Sequence, residues 1–246
     1  MAESVKQQAR NPSMTLGLHQ NTRHLLDKGA IWGYAALQMD NEAYQTGTPL
    51  FRAITTGESE QVRLLLAKGA DANECYGEDE EPALLVAAIE NREQICKQLI
   101  AAGAAVNACD TRGYTPLMAA VCADSLNIVK MLLSAGADVN RSCAQSNATA
   151  LHDAATGNHL EITRVLLAAE ANVNAPENNE GNTVLMCAVQ ALAPEITELL
   201  LAAGADRDTR SSRGDTALEL IRTEQLYLWE PAKCARARRI EQLLTV

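Results

Sequence analysis

Few side chains in this sequence are candidates for acid–base, nucleophilic or metal chemistry. The 246 residues include four histidines, which are His19, His24, His152 and His159. None of them belongs to a His-Glu-x-x-His motif, and no Gly-x-Ser-x-Gly, P-loop or Gly-x-Gly-x-x-Gly sequence occurs. The 31 acidic residues include no pair whose spacing singles it out for acid–base work. We therefore predict a chain that is not an enzyme and needs no cofactor.

Three of the seven cysteines recur at intervals of 34 residues, at Cys75, Cys109 and Cys143. Zinc sites usually use pairs such as Cys-x-x-Cys, which the chain lacks. In stacked units about 8–10 Å apart, neighbouring members of this row would lie beyond the roughly 7 Å Cα separation of a disulfide. An odd number of cysteines without a framework spacing also favours reduced thiols. We expect no metal site and a cytoplasmic location.

The charge and the apolar content exclude two broad classes of partner. The net charge is −10, so the chain repels phosphate backbones and general nucleic-acid binding is not expected. No run approaches the roughly 18 apolar residues of a membrane helix, and the first residues lack the apolar segment of a signal peptide. Because only 3% of the residues are aromatic, we expect many thin helix–helix contacts instead of one thick core.

A repeat of 33 or 34 residues gives the chain its organisation. Tetrads similar to Thr-Pro-Leu-His begin, at intervals of 34, 33, 34, 34 and 33 residues, at Thr48, Pro82, Thr115, Thr149, Thr183 and Thr216. A second anchor, similar to Leu-Leu-x-x-Gly-Ala-Asp-Val-Asn, keeps the same phase and ends at Asn73, Asn107, Asn140, Asn174 and Asp208. Thr is a good N-cap, Pro fits a first helical turn and Gly ends a helix, so each period predicts two helices and a loop.

These tetrads, endings and periods resemble the ankyrin repeat. The resemblance implies an all-α solenoid of stacked helix–turn–helix units with hairpin loops, about six to seven repeats including caps. It also makes His152 and His159 structural. The expected organisation is a flexible N-terminus (1–13), an N-terminal cap repeat with a long loop (14–47), full repeats (48–81, 82–114, 115–148, 149–182, 183–215) and a C-terminal cap repeat with an insertion (216–246).

Both ends depart from the pattern. The first loop carries about six extra residues and includes Trp32. In the last unit the paired leucines come ten residues late, after a segment with Pro231, Trp229 and a basic cluster. Each departure either caps the stack or contacts a partner, and the sequence leaves both open. Glu170 replaces the helix-ending Gly of the other units at a cost of up to about 1 kcal/mol.

The resemblance places partner contacts in the hairpin before each tetrad and at the end of each first helix. The positions in this chain that we select as the binding surface are Tyr44, Glu78, Asp79, Glu81, Ile89, Glu90, Arg112, Tyr114, Gln145, Ser146, Thr156, Asn179, Glu180 and Arg213.

Two hairpins within that set are the expected centre of contact. The segment from Glu74 to Glu81 holds five acidic residues and no base, so it is either a solvated charge run or a field that steers a basic partner. In the next hairpin we expect Arg112 and an exposed Tyr114 to project as binding hot spots.

We therefore expect a monomeric, non-catalytic adaptor or scaffold that binds another protein, one with a basic surface, through a concave face. Two alternatives stay open: an immunity-type inhibitor that blocks a basic enzyme such as a nuclease, and a bacterial effector that binds a host protein. Asn107, Asn140 and Asn174 also resemble asparagines that are hydroxylated in eukaryotic ankyrin repeats.

Overall fold

Short helices dominate the computed structural model of the chain, which describes residues 47–175, 181–225 and 230–245. Among these residues the helices are α1 (Pro49–Thr56), α2 (Ser59–Ala67), α3 (Ala83–Ile89), α4 (Glu93–Ala101), α5 (Pro116–Cys122), α6 (Leu126–Ser134), α7 (Ala150–Thr156), α8 (Leu160–Ala168), α9 (Val184–Gln190), α10 (Pro194–Ala202), α11 (Ala217–Gln225) and α12 (Pro231–Thr245). Two strands, β1 (Cys75–Tyr76) and β2 (Glu81–Pro82), form one antiparallel hairpin with Tyr76 opposite Glu81.

The helices stack as pairs. Each odd-numbered helix contacts the even-numbered helix that follows it, and the odd-numbered helices contact one another in order from α1 to α11. The even-numbered helices form a second layer with the same order from α2 to α12. Each pair therefore contacts the pairs before and after it, which confirms the predicted all-α repeat solenoid.

Threonine caps precede the first helices of the described pairs except α3, which follows Pro82 without a side-chain cap. The Thr115 hydroxyl accepts a hydrogen bond from the Met118 N–H at 3.3 Å. In the fourth pair His152 adds a return bond, because its Nδ1 accepts the Thr149 N–H at 3.1 Å and completes a capping box. His152 is therefore a structural residue, as predicted.

The core is thin and lies between the two layers of helices. Helices α3, α5, α7 and α9 are short and almost wholly buried, as Leu84, Leu85 and Ala88 in α3 illustrate. The even-numbered helices bury only a stripe, such as Ile95 and Leu99 in α4. Small and aliphatic side chains fill this space, so few aromatic residues are needed.

A ladder of asparagines links successive units on the loops that follow the second helices. The Asn107 Oδ1 accepts the Asp138 N–H at 2.8 Å, and its Nδ2 donates to the Gly136 carbonyl at 3.1 Å. The equivalent residues Asn73, Asn140 and Asn174 make the same two bonds to the unit after them. These side chains fix the spacing between units.

The helix-ending position is left-handed in every unit where the structure describes it. Gly136 has φ +90° there, and a Cβ at this position would meet no atom within 4 Å. Glu170 keeps the same conformation at φ 64°. The glutamate is therefore accommodated with backbone strain alone, without a rearranged loop.

The last pair is complete but its second helix is long. Helix α12 begins at Pro231, has 15 residues and packs on α10 and α11. Residues 226–229 lie outside the described part of the chain, as does the expected N-terminal cap around Trp32. No helix in the described ranges is long and apolar enough to cross a membrane.

Candidate functional site

The first described hairpin presents an acidic tip. Glu78, Asp79 and Glu80 are all exposed between β1 and β2. The stem beneath them is anchored, because the Tyr76 ring packs on Phe51 of α1 with 4.5 Å between ring centroids. The three carboxylates therefore stand on a fixed base at the edge of the stack.

A buried carboxylate organises the next hairpin. Asp110 Oδ1 accepts the N–H groups of Arg112 at 3.0 Å and of Tyr114 at 2.7 Å, and no part of its side chain is exposed. Its Oδ2 lies 2.8 Å from the Arg112 Nε and 2.7 Å from Nη2. The Asp110 carboxylate therefore fixes both the backbone of the turn and the Arg112 guanidinium.

Arg112 is held inside an acidic cluster. Its Nη2 also lies 3.6 Å from Asp79 and 3.7 Å from Glu81, and only 25% of its side chain is exposed. The expectation that Arg112 projects outward is therefore wrong, because carboxylates of its own hairpin and of the preceding hairpin hold its guanidinium. Glu81 itself is buried, so it does not belong to the exposed acidic tip. Burial raises the pKa of the Glu81 carboxyl, and the Arg112 guanidinium acts in the opposite direction.

Tyr114 is a core residue. It is only 8% exposed, and its hydroxyl donates to the Cys122 Sγ at the end of α5 at 2.9 Å. Burial raises the pKa of this phenol well above its usual range. The prediction of an exposed Tyr114 is wrong, because the ring lies along the first helix of its unit instead of at the hairpin tip.

Successive hairpins are joined tip to tip. The Thr111 N–H donates to the Asp79 carbonyl and the Ala144 N–H donates to the Arg112 carbonyl, both at 2.9 Å. A Cβ on Gly113 would lie 2.7 Å from the Ala144 nitrogen, so this approach requires glycine. The tips of these three hairpins therefore form a hydrogen-bonded row.

The remaining predicted contact residues fall into two groups along this row. Gln145 and Arg213 are exposed and Ser146 is half-buried in later hairpins. At the ends of α3 and α7, the half-buried members are Ile89, Glu90 and Thr156. Tyr44, Asn179 and Glu180 lie outside the described residues.

Sequence reasoning missed two residues of this region. Asp110 was not singled out, although an Asp followed at three residues by Gly is a signal for a turn that the side chain organises. Glu80 belongs to the acidic run but not to the predicted contact set, and the structure exposes it beside Glu78 and Asp79.

The described residues do not group three His, Cys, Asp or Glu side chains in a way that could hold a metal ion. All seven cysteines lie in the described residues, and none of them forms a disulfide there. His159 lies 2.9 Å from the Asp124 carboxylate of the preceding unit, which is a contact between units. The described hairpins thus offer hydrogen-bonding groups and charges for contact with another molecule.

Comparison with known proteins finds a match to one family. The family model described as "Ankyrin repeats (3 copies)" matches residues 50–143 and 140–211. No curated protein matches the sequence.

Proposed function

The chain belongs to the ankyrin-repeat family, and from that premise we propose that it binds a partner protein through its hairpin tips and the adjoining ends of its first helices. Ankyrin repeats are generally protein–protein interaction modules. We call this surface the recognition edge, and its exposed or half-buried described members are Glu78, Asp79, Glu80, Ile89, Glu90, Gln145, Ser146, Thr156 and Arg213.

The acidic tip is the observation that carries the proposal. Three exposed carboxylates stand together at Glu78, Asp79 and Glu80, and the Arg112 guanidinium, engaged with Asp110 at 2.7 Å, lies 3.6 Å from Asp79 and offsets only part of their charge. Glu90 adds a half-buried acid at the end of the following helix. A partner with a basic surface fits this field, which would raise its association rate.

Rigidity supports the same proposal. The Asp79 carbonyl is bonded to Thr111 of the next hairpin, so the tip is ordered before any partner arrives. A preformed surface loses little conformational entropy on binding, which leaves more of the contact free energy for affinity. Tyr114 and Arg112 serve this function by holding the hairpin, and they are not its main contact residues.

The test is quantitative capture with charge reversal. The variant Glu78→Lys with Asp79→Lys is compared with wild type in lysates of the source cells and of candidate host cells. The matched control makes the same charge change on second helices, at the exposed Glu93 and Glu161. A partner that is lost only with the first variant supports the recognition edge, and its purified form is expected to bind more weakly at high salt.

Equal capture by all three proteins would contradict the proposed surface. The chemistry of the recovered partner then separates the finer roles: a basic enzyme whose activity is abolished by the chain favours an inhibitor, and a host protein favours an effector. We propose the adaptor role, acting as a monomer in the cytoplasm, which predicts a partner whose activity is unchanged by the complex.

A further inference from the structure

Two adjoining cavities that share Arg239 form an open cleft along helices α10 and α12, and the smaller one extends to Asn158, just after α7. The cleft has two parts of about 480 and 320 Å³. Arg239 borders both parts, so its side chain divides the cleft. We call the whole feature the α10–α12 cleft.

The charge of Arg239 is compensated by two carboxylates. Its two terminal nitrogens lie 2.6 Å from the Glu195 carboxylate and 2.9 Å from the Glu198 carboxylate, both on α10. These two ion pairs tie the last helix to the preceding unit. The single positive charge of Arg239 offsets one of the two negative charges that the glutamates give to the cleft.

Two further arginines border the cleft without such compensation. Arg207 lies on the part nearer the end of α10, and Arg236 lies on the part nearer its start. Neither forms an ion pair with any residue of the described ranges. The cleft therefore has three guanidinium groups against two carboxylates, in a chain whose net charge is −10.

The cleft also has an apolar lining. Leu201 and Leu243 border the larger part, and Leu192 and Pro194 border the smaller one. Apolar groups with a few charged groups at fixed positions are typical of ligand-binding clefts. Arg is suited to binding carboxylates because its planar fork can form two parallel hydrogen bonds.

From this arrangement we propose that the α10–α12 cleft binds a short acidic segment of a second partner protein. Its carboxylates pair with Arg207 and Arg236, and its apolar side chains lie against the leucines. Helix α10 has nine residues and is about 13 Å long, which about four extended residues span. The segment therefore carries two acidic residues separated by a few apolar ones.

A nucleic acid fits this cleft less well. Its evenly spaced phosphates would meet the Glu195 and Glu198 carboxylates as well as the arginines, and the rest of the acidic chain would repel it. A peptide, in contrast, can carry acidic side chains at its two ends alone, next to Arg207 and Arg236, and apolar side chains between them. With a basic partner at the recognition edge, this second site of opposite polarity would let one chain join two proteins.

The experiment measures fluorescence anisotropy with the full chain and a fluorescein-labelled peptide of about five residues, with glutamate at both ends and leucine between. A peptide with lysine in place of glutamate serves as the control ligand. The test variant is Arg207→Glu with Arg236→Glu. The matched control variant is Arg63→Glu with Arg164→Glu, which changes the same charge at exposed positions on α2 and α8.

We expect saturable binding of the glutamate peptide, a loss of affinity of at least about tenfold in the test variant and no loss in the control variant. Circular dichroism confirms that both variants are folded. No saturable binding by wild type, equal binding by wild type and test variant, or preference for a single-stranded oligonucleotide over the peptide would each overturn the proposal. None of these outcomes involves the recognition edge, so the two proposals fail or succeed separately.

Discussion

The asparagine ladder makes a graded prediction about stability. Replacing Asn107 by Ala removes a bond from the Asp138 N–H at 2.8 Å and a bond to the Gly136 carbonyl at 3.1 Å. A net hydrogen bond contributes about 1 kcal/mol, and the site is exposed, so we expect the free energy of unfolding to fall by about 1–2 kcal/mol. Asn73→Ala should cost less, because the Asn73 Nδ2 lies 3.5 Å from its carbonyl partner.

Urea unfolding followed by circular dichroism measures this ranking. In a stack of repeats the lost free energy belongs to the coupling between neighbouring units, so the transition of the Asn107 variant should also broaden. Asn140→Ala and Asn174→Ala should match Asn107→Ala, since their two bonds are nearly the same length. A loss of only a few tenths of a kcal/mol at Asn107, or an equal loss at Asn73, would refute the reasoning.

Three other perturbations follow from the structure. Glu170→Gly should raise the free energy of unfolding by about 1 kcal/mol and Gly136→Ala should lower it by a similar amount, because both positions are left-handed; urea titrations check both signs. Tyr114→Ala should cost about 3–5 kcal/mol in the same assay, whereas an exposed tyrosine would cost almost nothing. A carboxyl whose pKa is raised on folding contributes stability below its ordinary pKa and loses that contribution as the pH rises through the raised value. Glu81→Gln should therefore gain stability relative to wild type as the pH rises above about 4, and urea titrations at a series of pH values measure this trend.

The repeat unit was predictable because its signals are local. A threonine cap such as Thr115 acts on the N–H three residues later, and a helix-ending Gly136 acts on its own backbone. Each of these residue types has the same role wherever the phase places it. The phase alone therefore located most helices to within a few residues, and the positions of His152 and the closing asparagines followed from it.

The electrostatics of the hairpins were not predictable in the same way. The Arg112 side chain does not project into solvent, because Asp79 and Glu81 of the preceding hairpin lie close to it once the units stack. Tyr114 is buried because its ring reaches along α5 to Cys122, eight residues later. Neither contact has a fixed sequence signature, because the first depends on the residue types that two adjacent hairpins bring together and the second on the residue at the end of α5.

Site-directed photocrosslinking tests the recognition edge most directly. Benzoylphenylalanine is introduced at Gln145, an exposed hairpin tip that leaves the acidic tip intact, or at Lys97, an exposed position on the second-layer helix α4. Each variant is irradiated in lysate, and the crosslinked proteins are identified by mass spectrometry. We predict a specific adduct from Gln145 that disappears when Glu78→Lys and Asp79→Lys are added, and none from Lys97. An adduct formed at Lys97 alone would place the partner on the opposite layer and contradict the account.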